Sequence, residues 1–120
     1  MMLQFTVPGT PRGKGRPRIV RRNGRTWAYT PTATKHYERA VAMIALAARP
    51  ADWPMDGRYS LRLTVSWPDA RRRDLSNVQK AIEDACNHIL WTDDCQIDGT
   101  SCNGGIDRIH PRVVVEVTTL

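Results

Sequence analysis

The sequence predicts an α+β fold in which two main helices pack on a small sheet that is mixed or mostly antiparallel. Segments with apolar residues at every second position alternate along the chain with segments whose apolar residues recur at helical spacing. The predicted order is strand, long loop, helix, strand, helix, strand, strand, without internal repeats. A length of 120 residues, 41% of them hydrophobic, fits a single domain over residues 1–120 with one core.

The first part of the chain is predicted to form one strand and a long basic loop. Residues 3–7 alternate apolar and polar side chains, as a half-buried strand does. The next segment, at about residues 8–29, contains glycines, prolines and arginines in no periodic pattern, which is typical of a loop. Its Asn23-Gly24 pair is a hairpin-turn signal, so a short two-stranded ribbon is expected inside the loop.

A helix, a strand and a second helix are predicted next. Thr30 is expected to cap the first helix, Pro31 suits its first position, and the Arg-Pro pair at 49–50 ends it. Residues 58–67 form the clearest strand, because five large apolar side chains alternate with small or charged ones. The second helix is predicted from about residue 74 to about residue 90.

Two further strands are predicted after the second helix. Residues 95–102 can form a strand, the Asn-Gly-Gly segment at 103–105 is expected to be a turn, and residues 112–120 form the closing strand. Together these elements complete the α+β pattern and leave both helices free to cover the sheet.

The composition argues against a membrane protein. No apolar run approaches the roughly 20 residues that a helix needs to cross a bilayer. The first ten residues lack the basic and apolar stretches of a signal peptide, so a cytoplasmic location is expected. Three cysteines, an odd number, indicate reduced thiols and do not fall at zinc-site spacing.

The net charge of +6 is concentrated in the N-terminal segment. Residues 1–25 contain seven basic side chains and no acidic one, which favours nucleic acid as a partner. A solvated basic loop that only keeps the protein soluble is the alternative. Trp27 and Tyr29 either stack on an unpaired base or pack against the protein. The predicted contacts to DNA phosphates are Arg12, Lys14, Arg16, Arg18, Arg21 and Arg22 in the loop, with Arg71, Arg72 and Arg73 before the second helix.

The second helix carries a polar stripe beside its apolar face. Four residues share the stripe at spacings that let their side chains meet, namely Ser76, Asn77, Lys80 and Asp84. Asp74 lies where an N-cap residue lies. The helix pattern alone favours a simple interpretation, in which Asp74 is only a cap and Lys80 forms a weak surface pair with Asp84.

A pair of adjacent carboxylates follows the second helix. Asp93 and Asp94 repel each other, which raises a pKa unless a cation is bound there. Hard oxygen ligands of this kind suit Mg²⁺ or Mn²⁺ rather than zinc. A divalent ion on these carboxylates, a nearby lysine and a basic surround form the minimal set of groups for phosphodiester hydrolysis. Whether Asp74 approaches Asp93 or Asp94 depends on the sheet and cannot be derived from the sequence.

The segment from Pro68 to Ile97, "PDARRRDLSNVQKAIEDACNHILWTDDCQI", resembles the signature region of the RusA family of Holliday-junction endonucleases. The shared elements are an arginine-rich lead, an acidic motif at the helix start, a lysine on the helix, an aromatic after it, and Asp-Asp-x-Gln. The basic N-terminal loop and the first helix also look similar to the family. The resemblance implies a RusA-like fold and a small homodimer that cuts four-way DNA junctions by paired nicks with Mg²⁺ or Mn²⁺.

The same resemblance implies roles for individual residues. Asp74 matches the first catalytic aspartate, Lys80 the catalytic lysine and Asp94 the aspartate after the helix. Asp93 matches its acidic neighbour, and Asn77 matches the motif asparagine as a supporting residue. The implied metal ligands are therefore Asp74, Asp93 and Asp94.

Ser76 departs from the family pattern, which has a second aspartate at this position. A serine keeps an oxygen, which can hold a metal-bound water, but it loses the charge. Either the remaining acids suffice for one metal, or the protein binds junctions and cuts them poorly. The alternatives to an Mg²⁺-dependent junction endonuclease are thus a non-catalytic binder of junctions or single-stranded DNA and, from charge alone, an RNA-binding protein.

Overall fold

The strands and helices begin close to the positions that the two hydrophobic periods predict. The structure is a computed structural model, and it describes residues 1–15, 18–29, 31–71 and 73–120. The elements of this described part are β1 (Met2–Pro8), β2 (Arg18–Arg22), β3 (Arg25–Tyr29), α1 (Thr32–Ala48), β4 (Tyr59–Trp67), α2 (Leu75–Ala85), β5 (Ile97–Ile106) and β6 (Arg112–Thr119), with one 3₁₀ turn at Asp94–Gln96. The α+β class is confirmed.

The main sheet is mixed and has the strand order β1-β6-β4-β5. β6 pairs antiparallel with both β1 and β4, whereas β4 and β5 are parallel. Parallel neighbours need a long crossover, and α2 supplies it between these two strands. The crossover brings the start of α2 and the turn after it to the β4–β5 side of the sheet.

The core forms because alternate residues of three strands point to the same face of the sheet. In β1 these are Leu3, Phe5 and Val7, and β4 and β6 show the same alternation of buried and exposed side chains. From α2, Val78 and Ile82 are fully buried against this face. The apolar face predicted for α2 is thereby confirmed at its centre, and it fixes which side of the helix faces solvent.

The predicted basic loop divides into two structured parts. Residues 9–15 cross the helices, and β2 and β3 then form a separate antiparallel hairpin. Asn23 and Gly24 both have positive φ, 51° and 73°, which two-residue hairpin turns of the primed type require. The hairpin predicted from this pair is confirmed.

The second helix is shorter than predicted, since it ends at Ala85 rather than near residue 90. The chain turns through His88, whose φ is 68°, and returns so that Leu90 and Trp91 are both fully buried. The backbone carbonyl of Leu90 accepts a hydrogen bond from the Trp53 indole at 2.8 Å, so a contact with a distant loop satisfies a group that the helix would otherwise satisfy.

The turn predicted at residues 103–105 is also wrong, because these residues lie inside β5. A Cβ on Gly104 would lie 3.2 Å from Leu75 Cδ2, so the glycine allows α2 to pack closely on the strand. The chain reverses later, where the Asp107 carboxylate accepts hydrogen bonds from the backbone of Ile109 and His110.

Pro31 is the N-cap residue of α1 rather than its first helical residue, and it makes no side-chain cap hydrogen bond. The predicted cap, Thr30, lies outside the described residues. Neither helix of the described part is long and apolar enough to cross a membrane.

Candidate active site

The N-terminal end of α2 carries a carboxylate whose donors, among the described residues, are all neutral. Asp74 is the N-cap, and its Oδ1 accepts hydrogen bonds from the Ser76 hydroxyl at 2.6 Å and the Ser76 backbone at 2.9 Å. These hydrogen bonds lower the pKa of Asp74 below its ordinary value. Among the described residues no lysine or arginine forms an ion pair with Asp74, and both Asp74 and Ser76 are exposed.

The middle of α2 is covered by residues 11–15, which we call the strap. The backbone N–H of Lys14 donates to the Asn77 carbonyl at 2.9 Å, and the N–H of Gly15 donates to the Thr34 hydroxyl at 3.3 Å. A Cβ on Gly13 would lie only 2.9 Å from the Asn77 Cβ, so the strap approaches the helix as closely as glycine permits. Asn77 therefore supports the N-terminal segment, while Thr34 ties it to α1.

The C-terminal half of α2 carries a chain of ion pairs. Lys80 Nζ lies 3.1 Å from Asp84 Oδ1 and 3.4 Å from Asp94 Oδ2. The other oxygen of Asp84 lies 2.9 Å from Lys14 Nζ, which also lies 2.7 Å from Glu38 on α1. The hydrogen bond with Asp84 is the main cause that raises the pKa of Lys80, so its ammonium group stays charged at neutral pH.

The two adjacent aspartates after α2 have different surroundings. Asp93 caps the 3₁₀ turn by accepting from the Cys95 N–H at 3.0 Å, and its own backbone N–H donates to the Gln96 side-chain oxygen at 2.9 Å. Repulsion was expected to raise a pKa in this pair unless a cation lies there, and Lys80 Nζ lies 3.4 Å from Asp94. The Cys95 N–H is the main cause that lowers the pKa of Asp93. Asp94 is half-buried and points to Lys80.

Gln96 anchors this turn to the rest of the protein. Its amide donates to the carbonyls of Met55 and Gly57 at 3.0 Å and 2.9 Å. The position of Asp94 therefore depends on a side chain that reaches the loop before β4. This role explains in physical terms why a glutamine belongs with the aspartate pair.

The predicted DNA-binding residues fall into three groups. Arg12, Arg21 and Arg22 are exposed, and Arg71 is exposed in front of α2. Arg73 instead pairs with Asp69 at 2.6 Å and lies over the Trp67 ring at 4.7 Å, and Lys14 is engaged in the ion pairs described above. Arg16 and Arg72 lie outside the described residues, as does the side chain of Arg18.

The structure joins Lys80 to Asp94 but not Asp74 to either of them through a direct contact. Asp74 and Lys80 are six residues apart on the helix, about 9 Å along its axis. In the described part of the chain no group of three or more acidic, histidine or cysteine side chains is close enough to form a ready-made metal site. The predicted ligands therefore form two separate groups of oxygen donors, with the polar side of α2 between them.

Comparison with known proteins identifies the family of the chain. The sequence model described as Endodeoxyribonuclease RusA matches residues 8–118. The chain belongs to the RusA endodeoxyribonuclease family. It is also 28% identical, over 116 aligned residues, to an uncharacterized Bacillus subtilis (strain 168) protein, YqaN, in an alignment covering 79% of this chain and 81% of that protein.

RusA proteins are nucleases that act on branched DNA. Sequence reasoning placed Asp84 on the polar stripe but gave it no role in the site, and it did not consider Glu38. The i,i+4 spacing of Lys80 and Asp84 was the available signal for the first. No local signal relates Lys14 to either acid, because the contacts join three separate elements.

Proposed function

We propose that this chain is an Mg²⁺-dependent, structure-selective endonuclease that resolves four-way DNA junctions by paired phosphodiester hydrolysis in recombination and repair. The observation that carries the proposal is the contact between Lys80 and Asp94 in a chain of the RusA family. A lysine held next to a carboxylate gives a cation and a metal ligand at the same place, which phosphodiester hydrolysis needs.

The oxygen donors of the predicted ligands are of the type that a magnesium ion binds. Asp74, Asp93 and Asp94 supply carboxylate oxygens, Mg²⁺ is usually held by one or two carboxylates with several waters, and Mn²⁺ accepts the same donors. Asp74 has no internal cation partner among the described residues, so its charge is available to an external one. When bound, Mg²⁺ would activate a water and neutralise charge on the phosphate.

The residues of the chain supply the remaining functions. Lys80 places a positive charge next to Asp94, where it can stabilise an oxygen of the phosphoryl group. The Ser76 hydroxyl donates to Asp74 and fixes the orientation of that carboxylate, and its oxygen can accept from a metal-bound water. Asn77 holds the strap against the helix through its backbone carbonyl.

The β2–β3 hairpin is the proposed DNA-binding arm. The register places Arg22 opposite Arg25 and Val20 opposite Trp27, so these four residues share one face. Two like charges directly opposite each other destabilise a hairpin unless an anion lies between them, and a phosphate is such an anion. Trp27 remains 45% exposed, which leaves its ring available to stack on a base.

Two copies of the chain would act together. A four-way junction has two strands of like polarity that must both be cut, and a symmetric homodimer presents two equivalent sites to them. The proposal includes the cytoplasmic location that is expected from the sequence. Exposed Arg12 and Arg71 would extend the basic surface around each site.

The test is to incubate the purified protein with a synthetic four-way junction in Mg²⁺ or Mn²⁺, with a linear duplex of the same sequence as control. Asp94→Asn is expected to lower junction cleavage about 100-fold or more while leaving binding within about twofold, because it removes metal-binding charge and not basic surface. Binding without cleavage by the unmodified protein in both metals would overturn the catalytic proposal. An equal loss of binding and cleavage in Asp94→Asn would overturn the role given to Asp94.

A non-catalytic junction binder is the second candidate, and Ser76 is the observation that favours it. Its hydroxyl is already donated to Asp74, and it brings no charge to offset a dication. The change Ser76→Asp separates the two candidates, with Ser76→Ala as the matched control. Cleavage that appears only in Ser76→Asp would identify the natural protein as a binder.

A further inference from the structure

Asp84 forms ion pairs with two lysines from different parts of the chain, and the function proposed above gives it no role. One of its oxygens lies 3.1 Å from Lys80 Nζ and the other lies 2.9 Å from Lys14 Nζ. Its side chain is only 19% exposed, compared with 53% for Lys80. A half-buried carboxylate thus contacts an exposed catalytic candidate on one side and the strap on the other.

The strap contacts Asp84 through Lys14, which is itself held at several points. Lys14 is fixed at its backbone by the Asn77 carbonyl and at its ammonium group by Glu38 and Asp84. Because Glu38 is on α1 and Asp84 is on α2, Lys14 joins the two helices. Gly13 lets the strap lie close against α2, because a Cβ at this position would meet the Asn77 Cβ at 2.9 Å.

The electrostatics favour a permanently charged Asp84. Burial alone raises the pKa of this carboxyl, but the hydrogen bonds from Lys14 and Lys80 outweigh it and leave the pKa below its ordinary value. Lys14 behaves in the corresponding way, because burial opposes its charge and the two acids more than offset that effect. Asp84 therefore stabilises the charged form of both lysines, and both lysines stabilise its own charge, at neutral pH.

We propose that Asp84 is a positioning residue that holds the Lys80 ammonium group beside Asp94, and that the strap fixes Asp84 in turn through Lys14. This inference rests on the proposed function, because it takes Lys80 as the group that acts on DNA. A lysine side chain has four rotatable bonds and an exposed one samples many rotamers. An isolated exposed ion pair with Asp94 orders it only weakly, so the second, better-buried partner determines its position.

The first test compares Asp84→Asn with the unmodified protein in single-turnover cleavage at saturating junction DNA. The cleavage rate is expected to fall about 10-fold to 100-fold, the usual size of a loss of positioning around a catalytic group, while junction affinity changes by less than about twofold. Asp84→Glu, which keeps the charge, is expected to restore part of the rate. Glu116→Gln is the matched control. It removes one carboxylate from an ion pair with Arg62 on the sheet and should cleave normally.

The second test asks whether the strap acts through Asp84. Lys14→Met should lower the cleavage rate in the same direction, and adding it to Asp84→Asn should lower the rate little further, because both changes break one chain of contacts. Fully multiplicative effects of the two changes would show that the strap and Asp84 act independently and would overturn the second half of the proposal.

A third measurement does not depend on activity. Hydrogen exchange of the Lys14 amide, which donates to Asn77, should become at least about threefold faster in Asp84→Asn than in Glu116→Gln. If the unmodified protein cleaves junctions and Asp84→Asn cleaves equally well, this inference fails and the proposed function stands. If the unmodified protein does not cleave, the proposed function fails. Hydrogen exchange still tests the coupling of Lys14 to Asp84 in that case, and an exchange rate of the Lys14 amide that does not change in Asp84→Asn would overturn it.

Discussion

The two ends of α2 treat their carboxylates differently. At the N-terminal end, Asp74 accepts hydrogen bonds from the neutral groups of Ser76. At the C-terminal end, Asp84 contacts two ammonium groups, and one of these also contacts Asp94. The helix is 11 residues long, so these two environments lie about 15 Å apart on one element.

This difference indicates which carboxylates are neutralised within the protein and which are available to bind an external cation. A carboxylate that is surrounded by ammonium groups is already neutralised, and it contributes to the fold and to the order of its partners. A carboxylate that has only neutral donors keeps its charge for an external cation. We therefore expect removal of charge alone at the N-terminal end to affect chemistry, and removal of charge at the C-terminal end to affect structure and chemistry together.

The largest expected effect comes from removing the charge at the N-terminal end. Asp74→Asn should lower junction cleavage about 100-fold to 1,000-fold, because it removes a charged oxygen donor. Stability should change by less than about 0.5 kcal/mol, since asparagine caps a helix as well as aspartate does. Cleavage assays and thermal unfolding of the same preparation measure both effects.

Asp74→Ala is the matched control for the capping role. It should lose cleavage to the same extent but also lose about 1 kcal/mol of stability, because no side-chain oxygen remains to accept from Ser76. If Asp74→Asn cleaves normally, Asp74 is only a cap, and the contrast between the two ends of α2 has no catalytic meaning.

The contacts at the N-terminal end could be predicted from the sequence, since they are local. The capping role of Asp74 follows from a carboxylate before a helical pattern, and the burial of Val78 and Ile82 follows from the 3.6-residue period. The alternation in β1 and β4 identified the core strands for the same reason, because periodicity reports which face is buried.

The contacts at the C-terminal end could not be predicted, since they join residues far apart in the chain. Nothing in the local sequence relates Lys14 to Asp84, and a wheel diagram shows the pair of Lys80 and Asp84 only as a weak surface contact. The early end of α2 was missed for a similar reason. Side chains at positions 49 and 53 donate to the carbonyls of Ile89 and Leu90 and compensate for the lost helical hydrogen bonds.

A smaller effect is expected from lifting the strap away from the C-terminal end. Gly13→Ala would place a Cβ 2.9 Å from the Asn77 Cβ, so either the strap or the helix must shift. The expected loss of stability is about 1–3 kcal/mol, the usual size for overpacking a well-fitted contact, with a parallel decrease in cleavage as Lys14 moves. Thermal unfolding and single-turnover cleavage measure the two effects.

Gly99→Ala in β5 is the control for this change, because a Cβ there meets no atom within 4 Å. Its stability should stay within about 0.5 kcal/mol of that of the unmodified protein. A Gly13→Ala protein that is equally stable and equally active would show that the strap is not closely held, and the structural character assigned to the C-terminal end would be wrong.

The smallest expected effect concerns a third carboxylate, Asp69, which lies before α2 and has a guanidinium partner, whereas Asp74 has none among the described residues. The hydrogen bond from Arg73, with help from the Arg71 backbone, lowers the pKa of Asp69 to about 2. A carboxylate whose pKa is lowered by folding stabilises the folded state above its unfolded pKa of 3.8, and this contribution is lost as the pH falls from there toward 2. The stability difference between the unmodified protein and Asp69→Asn should therefore be present at pH 5 and shrink at pH 2.5. Arg73→Gln should raise the carboxyl pKa of Asp69 in an NMR titration. The control is Asp107, whose pKa is also about 2 because it accepts hydrogen bonds from His110, Arg112 and Ile109. Its pKa should not change in Arg73→Gln. A pKa of Asp69 that does not respond to Arg73→Gln would remove the distinction between an acid whose charge is compensated by a cation of the chain and one, such as Asp74, whose donors among the described residues are neutral.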